Sequence, residues 1–140
     1  MAYTDAELRT LIAGGETATV EFKERLRDPE LLARLISAFA NAEGGVVLVG
    51  VGHRGSIIGC DTEEVSRAFH GALARIINPP KVDLEATEVD GKRVATITIG
   101  RSASVTVSKS GAFRRDADKV VPLGTQQILQ SLHIIGCDGK

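Results

Sequence analysis

Two groups of basic side chains offer the most chemistry in this sequence. Lys23, Arg25, Arg27 and Arg34 fall on or near an early strand and the main helix, and Lys109, Arg114, Arg115 and Lys119 fall on or near a late hairpin. Lysine and arginine supply phosphate contacts that position a nucleic acid without reading its bases. A β-ribbon with basic tips can straddle a backbone or enter a groove. Read without that function, the same residues are a solvated face. The net charge of −1 gives no global pull on a polyanion, so the argument is local. Lys92 to Lys119 holds seven basic residues against two acidic ones, whereas the first thirty residues hold seven acids and four bases. With four Phe, one Tyr and no Trp, a stacking platform for single strands is poorly supported. Phe113, the one aromatic near the basic hairpin, is read as core.

Other patterns point to less. Gly50-Val51-Gly52-His53-Arg54-Gly55 fits G-x-G-x-x-G after a strand. A dinucleotide fingerprint needs its last glycine to open a helix that holds the pyrophosphate. Here Ser56-Ile57-Ile58-Gly59 follows, so the glycines are read as a turn. No Walker A pattern occurs. His53, His70 and His133 are widely separated, with no metal-ligand spacing. Cys60 and Cys137 are far apart, with no disulfide or zinc spacing; Cys60 reads as a small buried residue and Cys137 as a tail thiol. No Ser-His-Asp or Cys-His arrangement is apparent.

The elements that must position these residues follow from periodicity. Thr4 caps a first helix, with Glu7 completing a capping box, and Gly14-Gly15 ends it. Thr19 to Lys23 alternates as a short strand. Asp28-Pro29 opens the main helix, whose Leu31, Leu32, Leu35, Ile36 and Phe39 share one face and which runs to about Asn41. Gly44-Gly45 stops it, and Val46 to Val51 is a continuously apolar, central strand. Ser56 to Gly59 reads as the returning strand of a hairpin. Asp61 or Thr62 caps a helix bearing Val65, Phe69, Leu73 and Ile76, which stops before Asn78-Pro79-Pro80. Val82 to Ala86 and Ala95 to Ile99 alternate about Asp90-Gly91, a strong hairpin signal. Val105 to Val107 and Gly111 to Arg114 read as short strands, and Thr125 starts a last helix with Ile128, Leu129 and Leu132. The expected class is mixed α/β (α+β): a central mixed sheet with packed helices.

The 140 residues suit one domain with a real core, and 43% hydrophobic with 25% charged is ordinary for a globular chain. No apolar run reaches the length of a membrane span, and the N-terminus lacks a signal peptide's basic start and apolar core. The expectation is a cytoplasmic protein with no membrane partner.

Several of these blocks, in order, carry a resemblance. Gly15-Glu16-Thr17-Ala18-Thr19-Val20-Glu21-Phe22-Lys23, Ser37-Ala38-Phe39-Ala40-Asn41, Gly44-Gly45 through Gly50-Val51, Ile76-Ile77-Asn78-Pro79-Pro80, Asp90-Gly91 and Ser110-Gly111-Ala112-Phe113-Arg114-Arg115 together resemble the Schlafen AlbA_2 domain. That domain is an Alba-related module expected to bind nucleic acid. The likeness covers roughly 14–131; with the capped N-terminal helix over 1–13 and a C-terminal tail over 132–140, the chain reads as a single domain. The likeness implies DNA or structured RNA as partner, a place in transcriptional regulators, and a possible homodimer, since Schlafen proteins pair two such lobes.

In nuclease members two glutamates, matching Glu16 and Glu21, join an aspartate at the end of the central strand. Three carboxylates can hold divalent ions that clamp a scissile phosphate and activate water. Here the strand ends Gly50-Val51-Gly52-His53, without that aspartate. Enzyme activity is therefore left open, leaning against, with no cofactor, or Mg2+ or Mn2+ if the chain is a nuclease. Structurally, Glu21 reads as an exposed strand residue paired with Lys23 or an arginine, and Glu16 as a loop residue tethering backbone N–H groups. The leading expectation is a nucleic-acid-binding domain that contacts phosphates with low sequence preference. Lys109, Arg114, Arg115 and Lys119 come first as contacts, then Lys23 and Arg25. The alternatives are a metal-dependent RNA or DNA endonuclease using Glu16 and Glu21, and a dimerising module that binds no nucleic acid.

Overall fold

The computed structural model describes residues 3–124. The helix expected from Thr125, together with His133 and Cys137, lies outside the described residues. The first helix, α1, is Asp5–Ala13. Thr4 Oγ1 accepts the Glu7 N–H at 3.1 Å and Glu7 Oε1 accepts the Thr4 N–H at 2.9 Å, the expected capping box. Strand β1 is Val20–Lys23, helix α2 is Pro29–Ala40 and strand β2 is Gly45–Val49. Asp28 caps α2 by accepting the N–H groups of Glu30 and Leu31. β1 and β2 run parallel with α2 as their crossover, as parallel neighbours require.

Gly44 and Gly45 make the passage from helix to strand. Both have positive φ, 76° and 150°. A Cβ at Gly45 would lie 2.4 Å from Thr19 O and 2.7 Å from a Phe39 ring carbon, so only glycine lets the strand start this close beneath the helix.

Helix α3, Thr62–Ala74, is capped by Asp61. Strands β3, Val82–Val89, and β4, Lys92–Ile99, form a hairpin longer than the alternation alone outlined. Asp90 and Gly91 both have positive φ, as a type I′ turn needs. The sheet order is β1-β2-β4-β3, with β2 antiparallel to β4, so the expected mixed sheet and central strand are present. Val47, Val49, Ile97 and Ile99 face Leu32, Ile36 and Phe39 of α2 and Val65 and Phe69 of α3. Val46, Leu48, Val20 and Phe22 face Leu8 of α1. The period of two thus puts helices on both faces.

A second sheet, in the order β5-β6-β7, comprises Val107–Ser108, Gly111–Asp116 and Lys119–Pro122. It packs on α2. Helix α2 therefore lies between two sheets, and Ser37, Ala38, Phe39 and Ala40 are all buried.

Three expectations are corrected. Ser56 to Gly59 is no strand: Ile58 and Gly59 both donate to Gly50 O, which folds the segment across the end of β2, and only Ile57 bridges, to Val51. β5 is shorter than Val105 to Val107 and begins at Val107, because Asn41 and Asn78 side chains take the backbone groups of Val105 and Thr106. β6 runs on to Asp116 and pairs with β7, a strand the sequence reading omitted.

Candidate nucleic-acid interface

A polar stripe on α2 holds the second sheet. Arg34, Ser37 and Asn41 are spaced three and four apart and so share a face. Ser37 Oγ donates to Thr106 O at 2.8 Å and accepts the Phe113 N–H at 3.2 Å. Asn41 Nδ2 donates to Phe113 O at 2.7 Å and Thr106 O at 3.0 Å, while its Oδ1 accepts the Thr106 N–H at 2.7 Å. Arg34 Nε donates to Ser110 Oγ, and its guanidinium lies 5.6 Å from the half-buried Phe113 ring. The hydroxyl and amide in Ser37-Ala38-Phe39-Ala40-Asn41 are thus structural donors and acceptors, and sequence reasoning missed their role. Their four-residue spacing among Leu35, Ile36, Ala38, Phe39 and Ala40 was the available signal.

β6 then separates its two arginines. Successive strand residues point to opposite faces. Arg115 points at α2 and has a side chain only 1% exposed, against 11% for its partner Glu21. Its Nη2 donates to Glu21 Oε1 at 2.9 Å and Thr17 O at 3.0 Å, and its Nη1 donates to Asp118 O at 3.0 Å. The guanidinium lies 4.6 Å from the Phe39 ring centroid, a cation–π contact. Arg115 therefore leaves the set of surface phosphate contacts: it joins β6 to α2, β1 and the loop before β1. Glu21 is buried as well, not an exposed strand residue, though its partners are Lys23 at 3.4 Å and an arginine as expected.

Arg114 faces the opposite way and is exposed, as are Lys109 in the β5–β6 turn, Lys119 at the start of β7 and Arg101 after β4. Among the described residues none of these four side chains makes an ion pair. Arg101 and Arg114 line a cleft of about 490 Å³ together with Ala18, Asn41, Glu43, Arg115 and Asp116. The sequence reading omitted Arg101 as a candidate contact.

The earlier basic group is largely engaged. Lys23 pairs with Glu21 on β1. Arg25 grips Glu64 of α3 with two bonds of 2.8 Å. That bidentate bond holds the Glu64 carboxyl below the usual carboxylate range and raises Arg25 in turn. Arg34 pairs with Glu30. Three of the four are thus tied to carboxylates, while Arg27 is exposed and, among the described residues, makes no ion pair.

The donor set at Glu16 and Glu21 does not fit a divalent ion. Glu16 Oε1 accepts the Phe22 N–H at 3.0 Å, the tether expected of it, and its Oε2 lies 3.3 Å from His53 Nδ1. Glu21 Oε1 and Oε2 are taken by Arg115 and Lys23. Among the described residues no group of three or more His, Cys, Asp or Glu side chains is placed to hold a metal. No helix among them is long and apolar enough to cross a membrane. Cys60 is half-buried and free, and burial pushes its thiol up.

The profile of the family described as "Schlafen, AlbA_2" matches residues 16–124, and the chain belongs to that family. Among curated proteins none matches. Of solved structures, the DIP2311 protein from Corynebacterium diphtheriae is similar with a TM-score of 0.66 at 22% identity. That match covers 91% of this chain, which spans only 28% of the length of the Corynebacterium chain. The N-terminal domain of an ATP-dependent DNA helicase RecG-related protein from Nitrosomonas europaea is similar with a TM-score of 0.55 at 20% identity, covering 72% of this chain and 75% of that one. At these identities the likeness is one of fold.

Proposed function

We propose that this domain binds nucleic acid through the small sheet and contacts the phosphate backbone with low sequence preference. One observation carries the reading. Arg101, Lys109, Arg114 and Lys119 stand exposed and without ion pairs on or beside β5, β6 and β7. Exposed unpaired cations can each replace a condensed counterion on a phosphate. The family and the helicase-related neighbour support nucleic acid as the polyanion. Lys23 and Arg25 contribute less, since each is held by a carboxylate. The reading extends to DNA or structured RNA as partner, to a place in a transcriptional regulator, and to pairing of two copies.

The test is fluorescence anisotropy with labelled duplex DNA and a structured RNA across a salt series, with Mg2+ or Mn2+ present, followed by a denaturing gel. Salt-sensitive binding with intact strands supports the proposal. Cleavage lost in Glu21→Gln would instead favour the endonuclease. No binding at low salt leaves the dimerising module, which a size measurement in solution would then address.

A further inference from the structure

The cleft at the C-terminal end of α2 has an unusual charge pattern for a phosphate-tracking surface. Two cations, Arg101 and Arg114, and two carboxylates, Glu43 and Asp116, line the same space of about 490 Å³. Among the described residues none of these four side chains makes a hydrogen bond or ion pair, with each other or otherwise. Asn41 and Ala42, just past the end of α2, bring the negative end of the helix dipole to the same side. The buried Arg115 also lines the cleft, and its Nε–H is a buried side-chain donor without a partner. A phosphate would use the two arginines and leave the two carboxylates without a partner. The complement is a ligand that carries both an anionic group and N–H donors.

A nucleotide has that form. Its phosphate suits the two guanidiniums, which bind phosphate oxygens through directed N–H donors. The guanine edge, with N1–H and the N2 amino group side by side, suits the two oxygens of one carboxylate. Thymine presents one N–H between two carbonyls, which a carboxylate repels. The volume lies within the range of small-ligand sites. Among the described residues no aromatic side chain lines the cleft, so selection there rests on polar edges rather than stacking. A base presents its Watson–Crick edge only when unpaired.

We infer that this cleft holds one unpaired nucleotide of a bound strand, its phosphate on Arg101 and Arg114 and a guanine edge on the carboxylate of Glu43 or Asp116. The inference rests on the nucleic-acid reading above and adds a base preference that backbone contacts alone do not give.

The experiment uses three labelled DNAs at low salt: an all-thymine decamer, the same decamer with two central guanines, and a duplex. The expected result is about tenfold or more tighter binding of the guanine strand than of the thymine strand, the discrimination of one bidentate base contact. A double variant, Glu43→Gln with Asp116→Asn, should bring the two strands to equal affinity. Arg101→Ala with Arg114→Ala should weaken both strands alike. Equal binding of the two strands by the unaltered protein overturns the inference, as does a preference that survives loss of both carboxylates. Duplex binding without guanine preference overturns the inference alone, whereas no binding of any strand overturns the proposed function with it.

Discussion

The Arg115 guanidinium has left water, and its compensation is local and complete on two of its three nitrogens. It keeps the Glu21 carboxylate, two carbonyls and the Phe39 ring. Removing one partner of a buried ion pair strands the other charge, which costs about 3–5 kcal/mol. Arg115→Ala should therefore lower the unfolding free energy by about that amount in a chemical denaturation series. Arg115→Met combined with Glu21→Leu should recover most of it, because the apolar pair leaves no stranded charge. Arg114→Ala should change stability by less than about 0.5 kcal/mol while weakening nucleic-acid binding. An Arg114 effect on stability as large as that of Arg115 would contradict the assignment. This difference was legible in part. With Phe113 read as core, a period of two places Arg115 on the same side of the strand. A buried arginine then demands a carboxylate, and Glu21 reads as paired with Lys23 or an arginine. The two readings were not joined because the strands bearing Glu21 and Arg115 lie far apart in sequence.

At the scale of elements, α2 is the member on which both sheets depend. Ser37→Ala leaves the Phe113 N–H without its acceptor, and Asn41→Ala leaves the Thr106 N–H without its own. Each should cost about 1–3 kcal/mol. The loss should appear first as faster hydrogen exchange in β5, β6 and β7, with β2 and β4 protected. Uniform loss across both sheets would show that the small sheet is not held separately by the stripe. The turn between β6 and β7 has Ala117 at φ 54°, a conformation that disfavours a Cβ. Ala117→Gly should stabilise the domain by up to about 1 kcal/mol, read as a raised denaturation midpoint. Caps, the glycine stop before β2 and the Asp90-Gly91 hairpin were legible because each has a local chemical cause. β7 was not, because Lys119-Val120-Val121-Pro122 is short and its turn lacks the usual glycine or asparagine. The expected returning strand at Ser56 is reduced to the single Ile57–Val51 bridge because Ile58 and Gly59 both donate to Gly50 O, which no local pattern reveals.

The tie between Arg25 and Glu64 gives a pH prediction at the same scale. Because the folded Glu64 carboxyl lies below its ordinary range, its contribution is present above the unfolded carboxylate pKa of about 4.3 and is lost as pH falls through the folded value. Glu64→Gln should flatten that part of the acid-unfolding profile. An unchanged profile would show that the exposed pair contributes nothing to folding.

Over the whole molecule, Arg27, Arg54, Arg67, Lys81 and Arg93 are, among the described residues, also exposed without ion pairs, so the contrast lies in how particular members of the two basic groups are held. On the β1 side, Lys23 and Arg25 are bound to carboxylates; on the small sheet, Arg101, Lys109, Arg114 and Lys119 are left to solvent. A net charge of −1 conceals this arrangement. Sequence counting found the basic segment but could not say which of its members faced water, since facing is set by packing on α2. The most direct test of the account is the salt dependence of duplex DNA binding by the unaltered protein and by Lys109→Ala/Arg114→Ala/Lys119→Ala. Each phosphate contact adds about 0.9 to the slope of log K against log salt. The prediction is a steep linear fall for the unaltered protein and a slope shallower by about two to three for the triple variant, with its fold intact by circular dichroism. An identical slope in the two proteins, or no binding at low salt, would contradict the small sheet as the binding surface.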